Sequence, residues 1–299
     1  MILDIKKQIE KLNKIRKGEV RQAYSLDIPE FDEYFKLSLG QYNIILGHSN
    51  TGKTTTLLYI MLLYSIKHKL RWLIYSSENE AYTIIRKLVE FLTGLPINKI
   101  EEKVFIEKAN WIDVYFKIID PNTLYNYKQL LNLGNEVKKS WDYHGFMIDP
   151  YNSLMIDKAQ LKGISKHDYD YEASSAFRVF CKTNDVTILL CMHAATEALR
   201  KLHPATHEYA GHPVAPWGSD AEGGGKHINR SDSFLVFHRM TQHPQDWMYS
   251  MLHVRKIKDM DTNGRPTSID SPIMMRSVPN NVGYTIGGEN MLHKVIGEI

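Results

Sequence analysis

Gly47-His48-Ser49-Asn50-Thr51-Gly52-Lys53-Thr54-Thr55 fits the pattern G-x-x-x-x-G-K-[ST], a phosphate-binding loop. Before it runs Tyr42-Asn43-Ile44-Ile45-Leu46, short, apolar and β-branched; after it runs Thr56-Leu57-Leu58-Tyr59-Ile60-Met61-Leu62-Leu63, apolar and of helix length. The pattern needs a strand before it and a helix after it, and both flanks meet that need. The glycines let the backbone wrap an anion with successive N–H groups. The helix that starts at the end of the loop aims its positive dipole at the same point. Residues 47–55 are therefore expected to hold a nucleoside triphosphate. Lys53 would reach the β- and γ-phosphates and the Thr54 hydroxyl would bind Mg²⁺, so ATP and Mg²⁺ are the expected cofactors.

The chain has 299 residues, of which 43% are hydrophobic and 24% charged, with a formal net charge of +3. This is an ordinary globular composition, and its mild basicity permits a nucleic-acid partner without requiring one. Cys181 and Cys191 have no C-x-x-C spacing, which argues against a disulfide framework or a zinc ribbon. No stretch is long and apolar enough to span a membrane, and the opening residues do not resemble a signal peptide, so a cytoplasmic protein is expected.

Outward from the loop, strands and helices alternate. Residues 1–18 read as an amphipathic helix with Ile2, Ile5, Ile9 and Leu12 in one stripe. So short a helix is marginal in water, and it must bury that stripe on its own domain or on a neighbouring copy. Arg71–Ser76 reads as a strand, Glu80–Thr93 as a helix, and Val114–Ile119 as a strand. Leu124–Ser140 reads as a helix, Gly145–Ile148 as a strand ending in Asp149, and 157–170 as a polar loop. Ala173–Thr183 reads as a helix and Val186–Met192 as a strand. Ser233–Phe237 and Trp247–Val254 follow close together, as an antiparallel pair would, before a short hairpin and tail. The alternation predicts an α/β fold: a mainly parallel, twisted sheet with helices on both faces and antiparallel strands at the C-terminal edge. The economical division is an N-terminal linker helix over 1–20 and one domain over 21–299.

Hydrolysis needs a metal-supporting carboxylate and a group that activates water. Asp149, at the end of an apolar strand, suits the first role. Pro150 follows it, so no acid adjoins it to serve as a base. Glu78, at the tip of the strand after the loop helix, shares the ligand-facing edge of a parallel sheet and suits the second role. Its ordinary alternative is a charge near the N-terminus of the helix that follows.

These residues resemble the RecA-type ATPase domain of DnaB-like hexameric replicative helicases, especially phage members. Ser76-Ser77-Glu78 matches the family's strand–Ser–x–Glu motif, and Ile28-Pro29-Glu30-Phe31-Asp32 resembles its approach to the first strand. The resemblance implies a γ-phosphate sensor at His193, at the end of Leu189-Leu190-Cys191-Met192. Gly218-Ser219 and Arg230–Phe237 resemble a further family stretch. The family's last motif ends in Lys-x-Arg and acts on the neighbouring subunit's ATP. Its counterpart here is Lys256-Ile257-Lys258, a lysine standing for the arginine, and strand alternation sends the adjacent Arg255 to the other face.

The resemblance further implies a hexameric ring around single-stranded DNA, with a primase or loader as an additional partner. Two stretches suit the channel. One is 157–170, with Lys158, Lys162 and Lys166. The other is 199–229, with Arg200, Lys201, the run Gly223-Gly224-Gly225 and Lys226. The function so implied is an ATP-dependent DNA helicase or translocase. Alternatives are a recombinase- or circadian-clock-like ATPase that forms filaments or rings without unwinding, and a nucleotide-gated loading factor with little turnover. His203, His207 and His212 lack the partners a metal site would need.

Overall fold

The residues of Tyr42–Gly47 are buried on both faces, which suits a strand inside a covered sheet. The computed structural model describes residues 4–157 and 161–296. Its strands are β1 (Tyr42–Gly47), β2 (Trp72–Ser76), β3 (Phe116–Ile118), β4 (Gly145–Asp149), β5 (Thr187–His193), β6 (Ser233–His238), β7 (Tyr249–Ile257), β8 (Ile273–Ser277), β9 (Tyr284–Ile286) and β10 (Glu289–Asn290). They form one sheet in the order β10-β9-β8-β7-β6-β1-β5-β4-β2-β3. From β6 to β3 every pairing is parallel, and from β6 to β10 every pairing is antiparallel. This is the α/β arrangement that the alternation predicts, with the antiparallel strands at the C-terminal edge.

The helices are α1 (Ile5–Arg16), α2 (Pro29–Asp32), α3 (Lys53–His68), α4 (Ala81–Thr93), α5 (Glu102–Tyr115), α6 (Tyr127–Ser140), α7 (Lys166–Asn184), α8 (Lys226–Arg230), α9 (Met260–Asn263) and α10 (Met291–Ile296). Side chains alternate across each strand. Ile45, Ile74, Met147 and Leu189 therefore pack with α3, α4 and α5, whereas Ile44, Leu46, Phe146 and Ile148 pack with α6 and α7. In α3, Leu57, Leu58, Leu62 and Leu63 are at most 3% exposed. Each such leucine contributes about 1.5–3 kcal/mol on leaving water, so burial fixes the helix that opens at the loop.

Three local readings change. The strand expected over 114–119 starts two residues later, because α5 runs through Tyr115, whose ring meets that of Trp111 one turn back (4.4 Å). The loop expected over 157–170 gives way to helix at Lys166. Ser165 caps it by accepting the Asp168 N–H (3.1 Å). The apolar pattern is silent there because polar side chains, Asp170 and Ser174, are buried in its first turns. Arg255 does not alternate with Lys256. The β6–β7 register shifts between Phe234 and Leu235, leaving Arg255 as a bulge. Val254 and Ile257 both enter the α3-side core, so Arg255 and Lys256 share the opposite face. The Arg255 guanidinium lies over the Trp217 ring at 4.1 Å.

Helix α1 differs from the rest. Ile5, Ile9 and Leu12 are 72%, 51% and 61% exposed, so its stripe is not buried within this chain. No helix among the described residues is long and apolar enough to cross a membrane.

Two interior histidines tie the fold to pH. His238 and His227 are each 2% exposed, and burial lowers each pKa to about 4. Both are neutral when folded and take up protons near pH 6.5 once unfolded. Their contribution is therefore complete above about pH 6.5 and is lost as pH falls toward 4. Going from pH 7 to pH 5 is expected to cost about 2 kcal/mol per histidine. Urea unfolding at the two pH values checks this: His238→Phe should lose less stability than the parent, and an equal loss would rule out His238 as a source.

Candidate nucleotide site

The loop between β1 and α3 takes its shape from a few residues. A Cβ on Gly47 would stand 2.7 Å from the Phe237 carbonyl oxygen, so only glycine lets β1 lie this close to β6. Gly52 adopts φ +77° in the position just before α3, where no side chain caps the helix. The first amides of α3 are thus left open to an anion. Asn50 also has a positive φ (+62°), and Thr51 Oγ1 donates to the His48 carbonyl (2.9 Å), closing the loop on itself.

Parallel pairing brings the other groups to the same edge. His193 ends β5 in register with Gly47, and Asp149 ends β4 in register with Ser76. Thr54 Oγ1 donates to Asp149 Oδ2 (2.6 Å). Asp149 is fully buried, and its Oδ1 has no hydrogen-bond partner. Lys53, only 5% exposed, donates to the Met192 carbonyl (3.1 Å). Nδ1 of His193 is in hydrogen-bond contact with Ser49 Oγ (3.0 Å). Its Nε2 lies 3.2 Å from Glu78 Oε1 without hydrogen-bond alignment, so it too is an unpartnered buried atom. The Glu78 carboxylate is half exposed. Burial holds the pKa of His48 below the usual histidine range, with Asp220 opposing the shift and Lys53 adding to it. A cleft of about 300 Å³ opens here, lined by His48–Thr55, Glu78, Asn79 and His193.

This donor set fits a magnesium–triphosphate. Open amides and Lys53 suit the phosphates, and the Thr54 hydroxyl with the spare Asp149 oxygen suits a hard divalent cation. Among the described residues no group of three His, Cys, Asp or Glu could hold a metal alone, so the phosphates would complete its shell.

Lys53, Thr54, Asp149, Glu78 and His193 therefore converge. Lys256 and Lys258 do not join them. Strand β7 runs antiparallel to β6, so its C-terminal end lies at the opposite edge of the sheet. Lys256 Nζ donates to the carbonyls of Ile228 (2.8 Å), Asn229 (3.2 Å) and Ser231 (2.8 Å), closing the end of α8. Lys258 Nζ stands 3.6 Å from Asp232 Oδ1 and is 54% exposed.

Of the residues expected in the channel, Lys158 lies outside the described residues. Lys166 pairs with buried Asp170, and Lys201 pairs with buried Asp220. Lys162 and Arg200 are exposed, Lys226 opens α8, and Gly224 has φ +85°. These segments follow β4 and β5 and so leave from the same edge as the loop. Residues that sequence reasoning missed include Asn152, which accepts the His193 N–H (3.2 Å), and Ser153, whose hydroxyl meets that of Ser77. A further one is Arg239, with Nη1 3.6 Å from the place of a Cβ on Gly52. Each stands just past a strand end, a position that would have pointed to them once the strand order was known.

No protein-family model and no curated protein sequence matches the chain. Solved structures do match. The ATPase domain of G40P superposes with a TM-score of 0.75 at 13% identity, covering 96% of this chain and 99% of that one. A DnaB-like replicative helicase, described together with its interactions with primase, gives 0.70 at 13%, covering 95% and 67%. A KaiC-like protein of the hyperthermophilic archaeon Pyrococcus horikoshii OT3 gives 0.59 at 16%, covering 89% and 99%. At these identities the likeness shows a shared RecA-like fold.

Thr54→Val keeps the side-chain shape and removes the hydroxyl, leaving both Asp149 oxygens buried without partners. An unmade bond of this kind costs about 1–3 kcal/mol, and more for a charged group. The nucleotide-free protein should unfold at lower urea, and an unchanged midpoint would show that this contact holds nothing in place.

Proposed function

We propose that the chain is an ATP-dependent, ring-forming helicase or translocase of the replicative, DnaB-like type, moving on single-stranded DNA. One observation carries the reading. Loop, carboxylates and histidine converge at one sheet edge, two basic segments leave from that edge, and two further lysines stand at the opposite edge. ATP with Mg²⁺ supplies the transferable phosphoryl group and the cation that neutralises it.

The chain's own residues do the rest. The loop amides and Lys53 orient the phosphates, while Thr54 and Asp149 hold the metal. Glu78, half exposed beside the cleft, accepts the proton of the attacking water. His193 offers its unpartnered Nε2 to the γ-phosphate end, held by Ser49 and Asn152. Lys258, and Lys256 once released from α8, serve the nucleotide of the next copy; a lysine there stabilises charge without the planar fork of an arginine. Lys162, Lys166, Arg200, Lys201 and Lys226, with the backbone at Gly224, would follow the DNA phosphates.

Glu78→Gln should still bind nucleotide, while single-strand-stimulated ATPase and displacement of a strand from a forked substrate both fall by at least a hundredfold. Undiminished turnover would remove Glu78 from its role. DNA-stimulated turnover of the unaltered chain without strand displacement would favour a non-unwinding ATPase, the reading suggested by likeness to a KaiC-like protein.

The exposed stripe of α1 supports assembly, because an isolated helix of this length needs an apolar surface to cover it. Its occupant is a second copy of the chain. Deleting residues 1–20 should leave the domain folded by circular dichroism and reduce its mass in light scattering to that of a monomer. Retention of the ring would assign the stripe elsewhere.

A further inference from the structure

Asp149 is followed, after Pro150, by a single 3-10 turn, Tyr151–Ser153. Its three consecutive side chains reach three different parts of the molecule. The Tyr151 hydroxyl donates to Asp170 Oδ1 (2.8 Å), in the second turn of α7. Asn152 Oδ1 accepts the backbone N–H of His193 (3.2 Å). Ser153 meets the hydroxyl of Ser77, beside Glu78, and Ser77 N–H itself donates to the Asp149 carbonyl (3.1 Å). The two groups that face the γ-phosphate end, Glu78 and His193, are thus both referred to this turn.

The Tyr151 branch points away from the cleft. Tyr151 is 7% and Asp170 2% exposed. Burial, reinforced by the Asp170 charge, pushes the phenol pKa far up and keeps it a donor. Asp170 also receives the Lys166 ammonium, and the place of a Cβ on Gly223 is 3.6 Å from its other oxygen. The Tyr151 ring stands 4.4 Å from that of His227 in α8. The Tyr151–Asp170 bond therefore underlies both basic segments at once, 161–166 through Lys166 and 222–227 through Gly223 and His227.

We propose that the turn Tyr151–Ser153 is the joint between nucleotide and DNA: Asn152 and Ser153 register the positions of His193 and Glu78, and the Tyr151–Asp170 bond passes that displacement to both basic segments. The inference rests on the translocase reading. These are positioning residues, since none touches a reacting group. The bond suits the task because it is buried, directional and made by side chains from two elements, so it cannot slide as apolar packing does.

Tyr151→Phe removes one oxygen and keeps the ring. In the full-length chain, ATPase is measured with and without an oligo-dT strand. Hydrogen exchange over 161–172 and 222–230 is compared with and without ATPγS. Unstimulated turnover and ATPγS affinity should stay within twofold of the parent. DNA stimulation should fall at least fivefold, and the exchange response to ATPγS in both segments, present in the parent, should vanish. Full stimulation with an unchanged exchange response in the variant overturns the joint. So does a parent chain that binds ATPγS without any exchange response in these segments, a result needing no variant to fold. A parent chain unaffected by DNA defeats the translocase reading instead, while the exchange comparison still decides whether Tyr151 couples the cleft to the segments.

Discussion

The hydrogen bond from Thr54 to Asp149 joins the first turn of α3 to the end of β4, across the intervening strand β5. Its acceptor, Asp149, is fully buried, and its donor, Thr54, is partly covered. Both ends are fixed independently, α3 by its leucines and β4 by pairing on both sides. The hydroxyl can meet the carboxylate only if the loop between β1 and α3 has its full left-handed turn at Gly52. Loop shape, helix start and strand register are thus conditions on one another. The cleft is what remains between them.

The same device recurs farther out. Asp170 and Asp220 are buried carboxylates, and each is matched by a lysine from an exposed position. A buried charge without its partner is costly, so each pair pins a segment that would otherwise be free to swing. Lys166 and Lys201 therefore carry less free charge than their exposure suggests. Lys162 and Arg200, by contrast, are exposed.

Much of this is legible in the amino-acid sequence. The loop flanks, the end of β4 at Asp149, the tip of β2 near Glu78 and the antiparallel extension all follow from apolar periodicity and strand-end chemistry, which are local properties. What escaped is non-local. The start of α7 is hidden because its buried face is half polar, with Asp170 and Ser174 beside Tyr169 and Ala173, and periodicity counts only apolar residues. The bulge at Arg255 depends on the partner strand, as does the capping of α8 by Lys256. Asn152 and Ser153 look like ordinary loop residues until β4, β5 and β2 are set side by side.

The placement of Lys256 and Lys258 on the edge opposite the loop has a consequence for symmetry. A cleft on one side of a subunit completed by cations from the other side of the next is a head-to-tail contact. Such contacts cannot be self-complementary, so no two-fold dimer satisfies both halves. Repeated, they either close into a cycle or propagate as a screw. The antiparallel extension beyond β6 turns the chain back to place those lysines there, so a contact of the proposed kind would exclude a two-fold pair.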